Sequence, residues 1–145
     1  MRLITLAFAL LASAPALADG DAEFKQQVES LVKQYIGGVN SKNVDAVLAV
    51  YASDPVFLRP DGVALHGEAE IRKLVSGAVS QGLHDDAAVT EAHRYGNSGF
   101  AIGTFTDTYE GKPMKVSGTW NAVYEIDGDK LRVKLLAVSL PPPAK

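Results

Sequence analysis

The chain has 145 residues, of which 47% are hydrophobic and 21% are charged, and it contains no cysteine. This length suits one domain with its own core and is too short for two ordinary domains. The formal net charge is only -3, and the scattered lysines and arginines argue against a nucleic-acid partner. Without cysteine, the chain has no disulfide, no thiol chemistry and no cysteine metal site.

The first eighteen residues have the pattern of a cleaved secretory signal peptide. Arg2 supplies a positive charge, residues 3–11 form an apolar run, and Ala16-Leu17-Ala18 is a small-x-small cleavage site. A membrane anchor is the weaker alternative, because the apolar run is too short to span a bilayer. We therefore expect residues 1–18 to be removed. The mature protein would begin at Asp19, be periplasmic or secreted, and have no membrane segment.

The next part of the chain predicts three helices. Residues 21–39 have the apolar spacing of an amphipathic helix, with Asp21 as the N-cap. Residues 44–51 resume as a short second helix, which Asp54-Pro55 is expected to end. A third helix is expected over residues 68–80, ended by Gly82.

The rest of the chain predicts strands. Residues 56–59 form a short strand before the turn Pro60-Asp61-Gly62. Beyond Gly82, His84-Asp85-Asp86 is interpreted as a solvated loop. The period then changes to two, which predicts four strands joined by hairpins, over residues 88–95, 99–109, 114–126 and 131–140. The pattern is that of an α+β domain over residues 19–140, followed by a proline-rich tail over residues 141–145.

This order of elements resembles the nuclear transport factor 2-like superfamily, which includes ketosteroid isomerases and SnoaL-like polyketide cyclases. The residues that carry the resemblance are Tyr35, Asn40-x-x-Asn43-x-Asp45-Ala46, Tyr51-Ala52-x-Asp54, Pro60-Asp61-Gly62, Gly67-x-x-x-Ile71 and Gly118-x-Trp120. The resemblance implies a cone-shaped, cystatin-like roll in which three N-terminal helices pack on a curved antiparallel sheet around one pocket. It also implies a sheet that is often used for dimerisation.

The catalytic residues of ketosteroid isomerases are mostly missing. Their oxyanion-donating tyrosine on the first helix corresponds to Tyr35. Their basic aspartate, at the end of the first strand and before a proline, corresponds to Arg59. Their second, protonated aspartic acid falls in the region of Trp120 and Ala122. An arginine is already protonated at neutral pH and cannot act as the base, so steroid-type isomerisation is not expected.

Seven residues are candidates for the pocket: Tyr35, Tyr51, Phe57, Arg59, His66, Asp107 and Trp120. Arg59 either forms a structural ion pair with Asp107 or clamps an acidic ligand with its two-pronged donor face. His66 could act as an acid or a base, although a loop histidine is more often plain surface. Tyr35 and Tyr51 are either hydrogen-bond donors to a ligand or core rings.

The expected function is that of an exported small-molecule-binding protein with a single hydrophobic pocket that bears a few polar groups. An acidic molecule is one option for the ligand. The alternative is a cofactor-independent lyase, isomerase, cyclase or epoxide hydrolase of the SnoaL-like type. No cofactor or metal is expected, since the histidines have no ligand spacing. A homodimer through the open face of the sheet is expected, because residues 135–140 are apolar on both sides.

Overall fold

The structure is a computed structural model that describes residues 16–142, with side-chain surroundings from residue 20 onward. Residues 1–15, which are most of the expected signal peptide, and residues 143–145 of the expected tail lie outside the described part. None of the described helices is both long and apolar enough to cross a bilayer.

Three helices are present in the described part of the chain: α1 (Ala16–Asn40), α2 (Val44–Leu48) and α3 (Gly67–Ser80). The first helix begins before Asp21, so the prediction of Asp21 as its N-cap was wrong. Instead, the Asp21 carboxylate lies on the side of α1. It accepts a hydrogen bond from the backbone N–H of Arg94 at 2.9 Å and contacts Nδ1 of His93 at 2.9 Å. The Asn43 side chain caps α2 by accepting a hydrogen bond from the backbone N–H of Ala46 at 3.0 Å.

Residues 16–142 contain six strands: β1 (Tyr51–Leu58), β2 (Ala64–His66), β3 (Leu83–Tyr95), β4 (Ser98–Tyr109), β5 (Lys112–Asp127) and β6 (Lys130–Ser139). They form one sheet in the order β2-β1-β6-β5-β4-β3. The β1 and β6 strands run parallel, and the other neighbours run antiparallel. The sheet is therefore mixed, and the expectation of a fully antiparallel sheet is corrected.

The first strand differs most from the sequence prediction. Tyr51 begins β1 rather than ending a helix, and Asp54-Pro55 lies inside the strand. Asp54 has a positive φ of 47°, which aspartate tolerates better than most residues. The register with β6 shifts between Tyr51 and Val56, so the strand is bulged at this point. The bulge hides the period of two and gives Pro55 a position that needs no ladder hydrogen bond.

The helices cover one face of the sheet, and the other face is left open. The α1 helix lies against β3, and α3 lies against β1. Phe24 of α1 is buried and meets the ring of Tyr124 edge-on at 5.9 Å between centroids. Gly99 of β4 permits this approach, because a Cβ at that position would overlap the Phe24 ring. The covered face is packed at this end and opens into a cavity at the other.

Candidate functional site

A cavity of about 330 Å³ lies between the helices and the covered face of the sheet. This volume is at the small end of the range of about 300–1,000 Å³ that is usual for small-molecule sites. Most of its wall is aliphatic or aromatic, with Leu31, Val32, Leu74, Phe105, Leu136 and Val138 among the lining residues. The polar side chains on the wall are Tyr35, Tyr51, Arg59, Asp85, Asp107, Tyr109, Trp120 and Tyr124.

The structure places six of the seven predicted site residues around this cavity: Tyr35, Tyr51, Phe57, Arg59, Asp107 and Trp120. His66 is not on the wall. Its side chain is exposed at the start of α3, and its backbone N–H donates to Oε2 of Glu70 at 2.7 Å. His66 is therefore removed from the candidate site.

Arg59 lies at the cavity mouth and is not bonded to Asp107. Its Nη2 pairs with Oδ2 of Asp61 at 2.8 Å, and 42% of its side chain is exposed. The tight turn after β1 explains why Arg59 pairs with Asp61. The Gly62 N–H donates to the Arg59 carbonyl at 3.0 Å, and this turn brings Asp61 close to the Arg59 side chain. The predicted Arg59–Asp107 pair was wrong, since strand parity does not show which acidic residue the turn brings near.

Asp107 faces a second carboxyl group instead, that of Asp85. The two residues are direct partners in the β3–β4 register. Asp85 is 8% exposed. Among the described residues, it is the one ionisable side chain of the Asp, Glu, Lys, Arg and His types that is buried. The interpretation of His84-Asp85-Asp86 as a solvated loop was wrong, because β3 begins at Leu83. Leu83, Asp85 and Ala87 alternate onto the cavity wall, and this parity was the signal in the sequence that could have identified Asp85.

Asp85 is held in place through its main chain by Asn40, the last residue of α1. The Asn40 side chain donates to the Asp85 carbonyl at 2.9 Å and accepts from the Asp85 backbone N–H at 2.8 Å. The paired bonds join the end of α1 to the start of β3. They leave the Asp85 carboxyl group free to face the cavity.

The surroundings of Asp85 disfavour its charged form. Burial raises its pKa to about 7, and the charge of Asp107 and a hydrogen bond with Asp107 add to the effect. Burial also raises the pKa of Asp107, while its hydrogen bond with Asp85 acts in the opposite direction. Since like charges in one apolar site cannot both ionise easily, the pair retains a proton to near neutral pH. At that stage it holds one proton and one negative charge.

Two tyrosine side chains, Tyr35 and Tyr51, lie on the same cavity wall as this carboxyl pair. Burial is the main cause that raises the pKa of Tyr35, followed by the charges of Asp85 and Asp107. Burial also raises the pKa of Tyr51, and the neighbouring Tyr35 adds to that shift. Both hydroxyl groups therefore remain neutral donors and acceptors at physiological pH.

Two buried polar atoms of this group have no hydrogen-bond partner among the described residues: the Tyr51 hydroxyl and Oδ1 of Asp85. A buried polar group without a partner costs about 1–3 kcal/mol. Folded proteins leave few such groups, and those that occur often mark a functional site. The polar end of the cavity thus offers unused hydrogen-bonding capacity next to an apolar wall.

Trp120 forms a rigid part of that wall. Its ring lies against Gly103 of β4, where any side chain would collide with it. Its Nε1–H donates to the carbonyl of Thr104 at 3.2 Å. The indole therefore presents an apolar face to the cavity with its polar edge already satisfied.

The described residues contain no arrangement of side chains that supports metal binding. No group of three or more histidine, aspartate, glutamate or cysteine side chains in residues 16–142 is placed to hold an ion. The Asp85–Asp107 pair provides two carboxyl groups only.

The fold and the site define a cavity-bearing α+β protein, and the sequence places it in a family. The model of the SnoaL-like domain matches residues 32–133. The chain therefore belongs to the SnoaL-like domain family, within the nuclear transport factor 2-like superfamily. No curated protein matches the chain in sequence.

Solved structures agree with this assignment at the level of the fold. An NTF2-like protein of unknown function from Pseudomonas putida KT2440 is 15% identical to this chain. The two structures superimpose over 86% of this chain and 91% of the other, with a TM-score of 0.73. A domain of unknown function with a cystatin-like fold from Nostoc punctiforme PCC 73102 is 12% identical, with coverages of 83% and 79% and a TM-score of 0.72. An NTF2-like protein with a cystatin-like fold from Novosphingobium aromaticivorans is also 12% identical, with coverages of 85% and 85% and a TM-score of 0.72. Identities this low establish the cystatin-like fold and nothing about activity.

Proposed function

We propose that the protein binds a small, mainly apolar molecule in the cavity between its helices and its sheet. The observation that carries this proposal is the apolar cavity of about 330 Å³ with two unpartnered polar atoms, from Tyr51 and Asp85, in its wall. Most of the wall contributes apolar area, which favours an apolar body. The few polar groups would fix the orientation of a ligand.

A neutral naphthalene dye such as prodan tests this proposal, since its fluorescence increases in apolar surroundings. The wild-type protein should bind the dye, and Ala87→Phe should weaken binding on the order of tenfold by filling the cavity. Ala87 lies on the cavity wall of β3. Its neighbour Ala88 is exposed on the opposite face, so Ala88→Phe adds the same ring outside the cavity and serves as the matched control.

The proposal fails if wild-type protein does not bind the dye, or if the two phenylalanine variants lose binding equally. Native mass spectrometry of the purified protein provides an independent test, because a ligand carried through purification should be absent from Ala87→Phe. Wild type and Ala88→Phe should then carry the same additional mass.

A second candidate function is cofactor-independent proton transfer, as in a lyase, isomerase, cyclase or epoxide hydrolase. It is favoured by Asp85, whose pKa of about 7 suits a general acid or base at neutral pH. Proton NMR in D₂O tests it directly with a bicyclic ketone such as 2-tetralone. Wild-type protein should accelerate exchange of the protons next to the carbonyl, and Asp85→Asn should not. An exchange rate equal to that in buffer alone counts against this function.

Export is proposed from the N-terminal sequence. The apolar run and the Ala16-Leu17-Ala18 site support removal of residues 1–18 and a periplasmic or secreted mature protein. N-terminal sequencing of the protein recovered outside the cytoplasm should read Asp19-Gly20-Asp21. Recovery of chains that begin at Met1 would contradict this proposal.

A homodimer through the open face of the sheet is also proposed. Phe100, Ile102 and Val123 are 36%, 36% and 41% exposed and occupy neighbouring positions on β4 and β5. Such a patch is typical of an interface. Sedimentation should show a dimer at micromolar concentration that Val123→Lys disrupts. Val63→Lys, at an equally exposed valine in the turn after β1, should leave the dimer intact.

A further inference from the structure

We propose that the ligand carries a protonated amine, and that its ammonium group binds between the carboxyl groups of Asp85 and Asp107. This inference rests on the proposed ligand-binding function and specifies the chemical class of the ligand. Its basis is the juxtaposition of two carboxyl groups and an unpartnered tyrosine hydroxyl in one apolar cavity.

The two carboxyl groups converge because of the sheet register. Asp85 of β3 and Asp107 of β4 are paired directly, and both lie on the cavity wall. Burial raises the pKa of both carboxyl groups, and the charge of Asp107 raises that of Asp85 further. A cation between them removes the mutual repulsion, whereas a neutral ligand leaves it in place.

The unpartnered atoms match the donors of an ammonium group. A primary ammonium has three N–H donors and no acceptor. The site offers Oδ1 of Asp85 and the hydroxyl oxygen of Tyr51, which have no partner in the described residues, together with the Asp107 carboxyl group. Asp85 and Tyr51 are both more than nine-tenths buried. The two carboxyl groups can accept charge-assisted hydrogen bonds from an ammonium group, and the Tyr51 hydroxyl is a further acceptor on the same cavity wall.

Among the residues that the structure describes, no basic side chain pairs with these two carboxyl groups. Arg59 is the basic residue on the described cavity wall, and it pairs with Asp61 at 2.8 Å. The wall also carries the aromatic rings of Phe105 and Trp120, whose faces attract cations. An acidic ligand, by contrast, would bring a further negative charge to the carboxyl pair.

Three compounds with the same naphthalene body separate the alternatives by competition with bound prodan. They are 2-(1-naphthyl)ethylamine, 2-(1-naphthyl)ethanol and 1-naphthylacetate. At about pH 8 the amine should bind more tightly than the alcohol, on the order of tenfold or more, because charge-assisted hydrogen bonds are about twice as strong as neutral ones. The acetate should bind most weakly.

The preference for the amine should also depend on pH. At about pH 5 the pair is more fully protonated, so the amine must displace a proton and its advantage over the alcohol should fall. The other titratable groups on the wall keep their charge across this interval. Tyr35, Tyr51, Tyr109 and Tyr124 have raised pKa values and stay neutral, and the guanidinium of Arg59 stays charged.

Two isosteric variants locate the effect. Asp85→Asn and Asp107→Asn should each weaken binding of the amine much more than binding of the alcohol, and so remove most of the preference for the amine. Asp86→Asn, one position away and exposed, changes the net charge equally and should keep the preference.

The inference is overturned if the alcohol or the acetate competes as well as the amine, or if the preference for the amine persists in both cavity variants. In either case, dye binding that Ala87→Phe weakens and Ala88→Phe does not would leave the proposed binding function standing. If wild-type protein does not bind the dye or any of the three compounds, the binding function and the inference fail together.

Discussion

The Asp85→Asn substitution should make the protein more stable at alkaline pH, although it alters a buried residue. An amide has nearly the same shape as a protonated carboxyl group, so the cavity wall should be retained. Asparagine does not ionise, and the cost of placing a charge in an apolar site beside Asp107 therefore disappears.

The magnitude follows from the change in pKa. Folding raises the pKa of Asp85 from its ordinary value of 3.8 to about 7, mainly through burial. Between these values the unfolded chain is ionised and the folded chain is protonated, so the folded state binds more protons. Stability must then fall as pH rises through this window and level off above about pH 7. From pH 5 upward, the loss spans about two pH units, or about 3 kcal/mol at 1.36 kcal/mol per unit.

Urea unfolding at about pH 5 and pH 8 measures this difference. The advantage of Asp85→Asn over wild type should grow by about 3 kcal/mol between the two conditions. Asp86→Asn is the matched control, because Asp86 is exposed and is a minor contributor to the shift of Asp85. Its advantage over wild type should change far less over the same interval.

An equal pH dependence of wild type and Asp85→Asn would refute the reasoning. It would mean that Asp85 ionises in the folded protein as easily as in the unfolded chain. The carboxyl pair would then be solvated, and the role of Asp85 in a buried polar site would be lost.

Two further predictions concern the contacts that hold α1 against β3. Asn40→Ala removes both hydrogen bonds to the Asp85 main chain and should lower the free energy of unfolding by about 1–3 kcal/mol, with faster hydrogen exchange of the Asp85 amide; unchanged stability would contradict this. His93→Gln tests the contact of His93 with Asp21, which is the main cause that raises the pKa of His93; the pKa of Asp21 is lowered first by the backbone N–H of Arg94 and next by this contact. The histidine contribution is complete below its ordinary pKa of 6.5 and is lost as pH rises through the folded pKa, while the Asp21 contribution is lost as pH falls through its lowered pKa. Thermal melts should therefore show a wild-type advantage over His93→Gln at mildly acidic pH that fades at alkaline pH, and an advantage that grows with pH would contradict this.

The local pattern of the sequence predicted those elements whose period is uninterrupted. The predicted helix over residues 68–80 differs from α3 by one residue at its start, and four predicted strands correspond to β3, β4, β5 and β6. The predictions failed where the period breaks. A bulge at Asp54 interrupts β1, and β2 has only three residues, too few to show alternation.

The other errors concern polar residues, because a polar residue type suggests that the side chain is exposed to solvent. His84-Asp85-Asp86 has the composition of a loop, yet it begins a long strand whose alternate residues reach the cavity. Arg59 was assigned the wrong acidic partner for a related reason. Alternation shows the face on which a side chain lies, but the nearest partner depends on register and turn geometry.

The position of Asp85 makes the strongest argument for a functional site. A sequence selected only for stability would avoid two facing carboxyl groups in an apolar cavity, since burial raises the pKa of both and the charge of Asp107 raises that of Asp85 further. Asparagine at Asp85 would fill the same space without the cost of ionisation. Local rules of stability are most often broken where a protein binds or reacts. Under the proposed functions, Asp85 would supply what an amide cannot: a negative charge, or a proton exchanged near neutral pH.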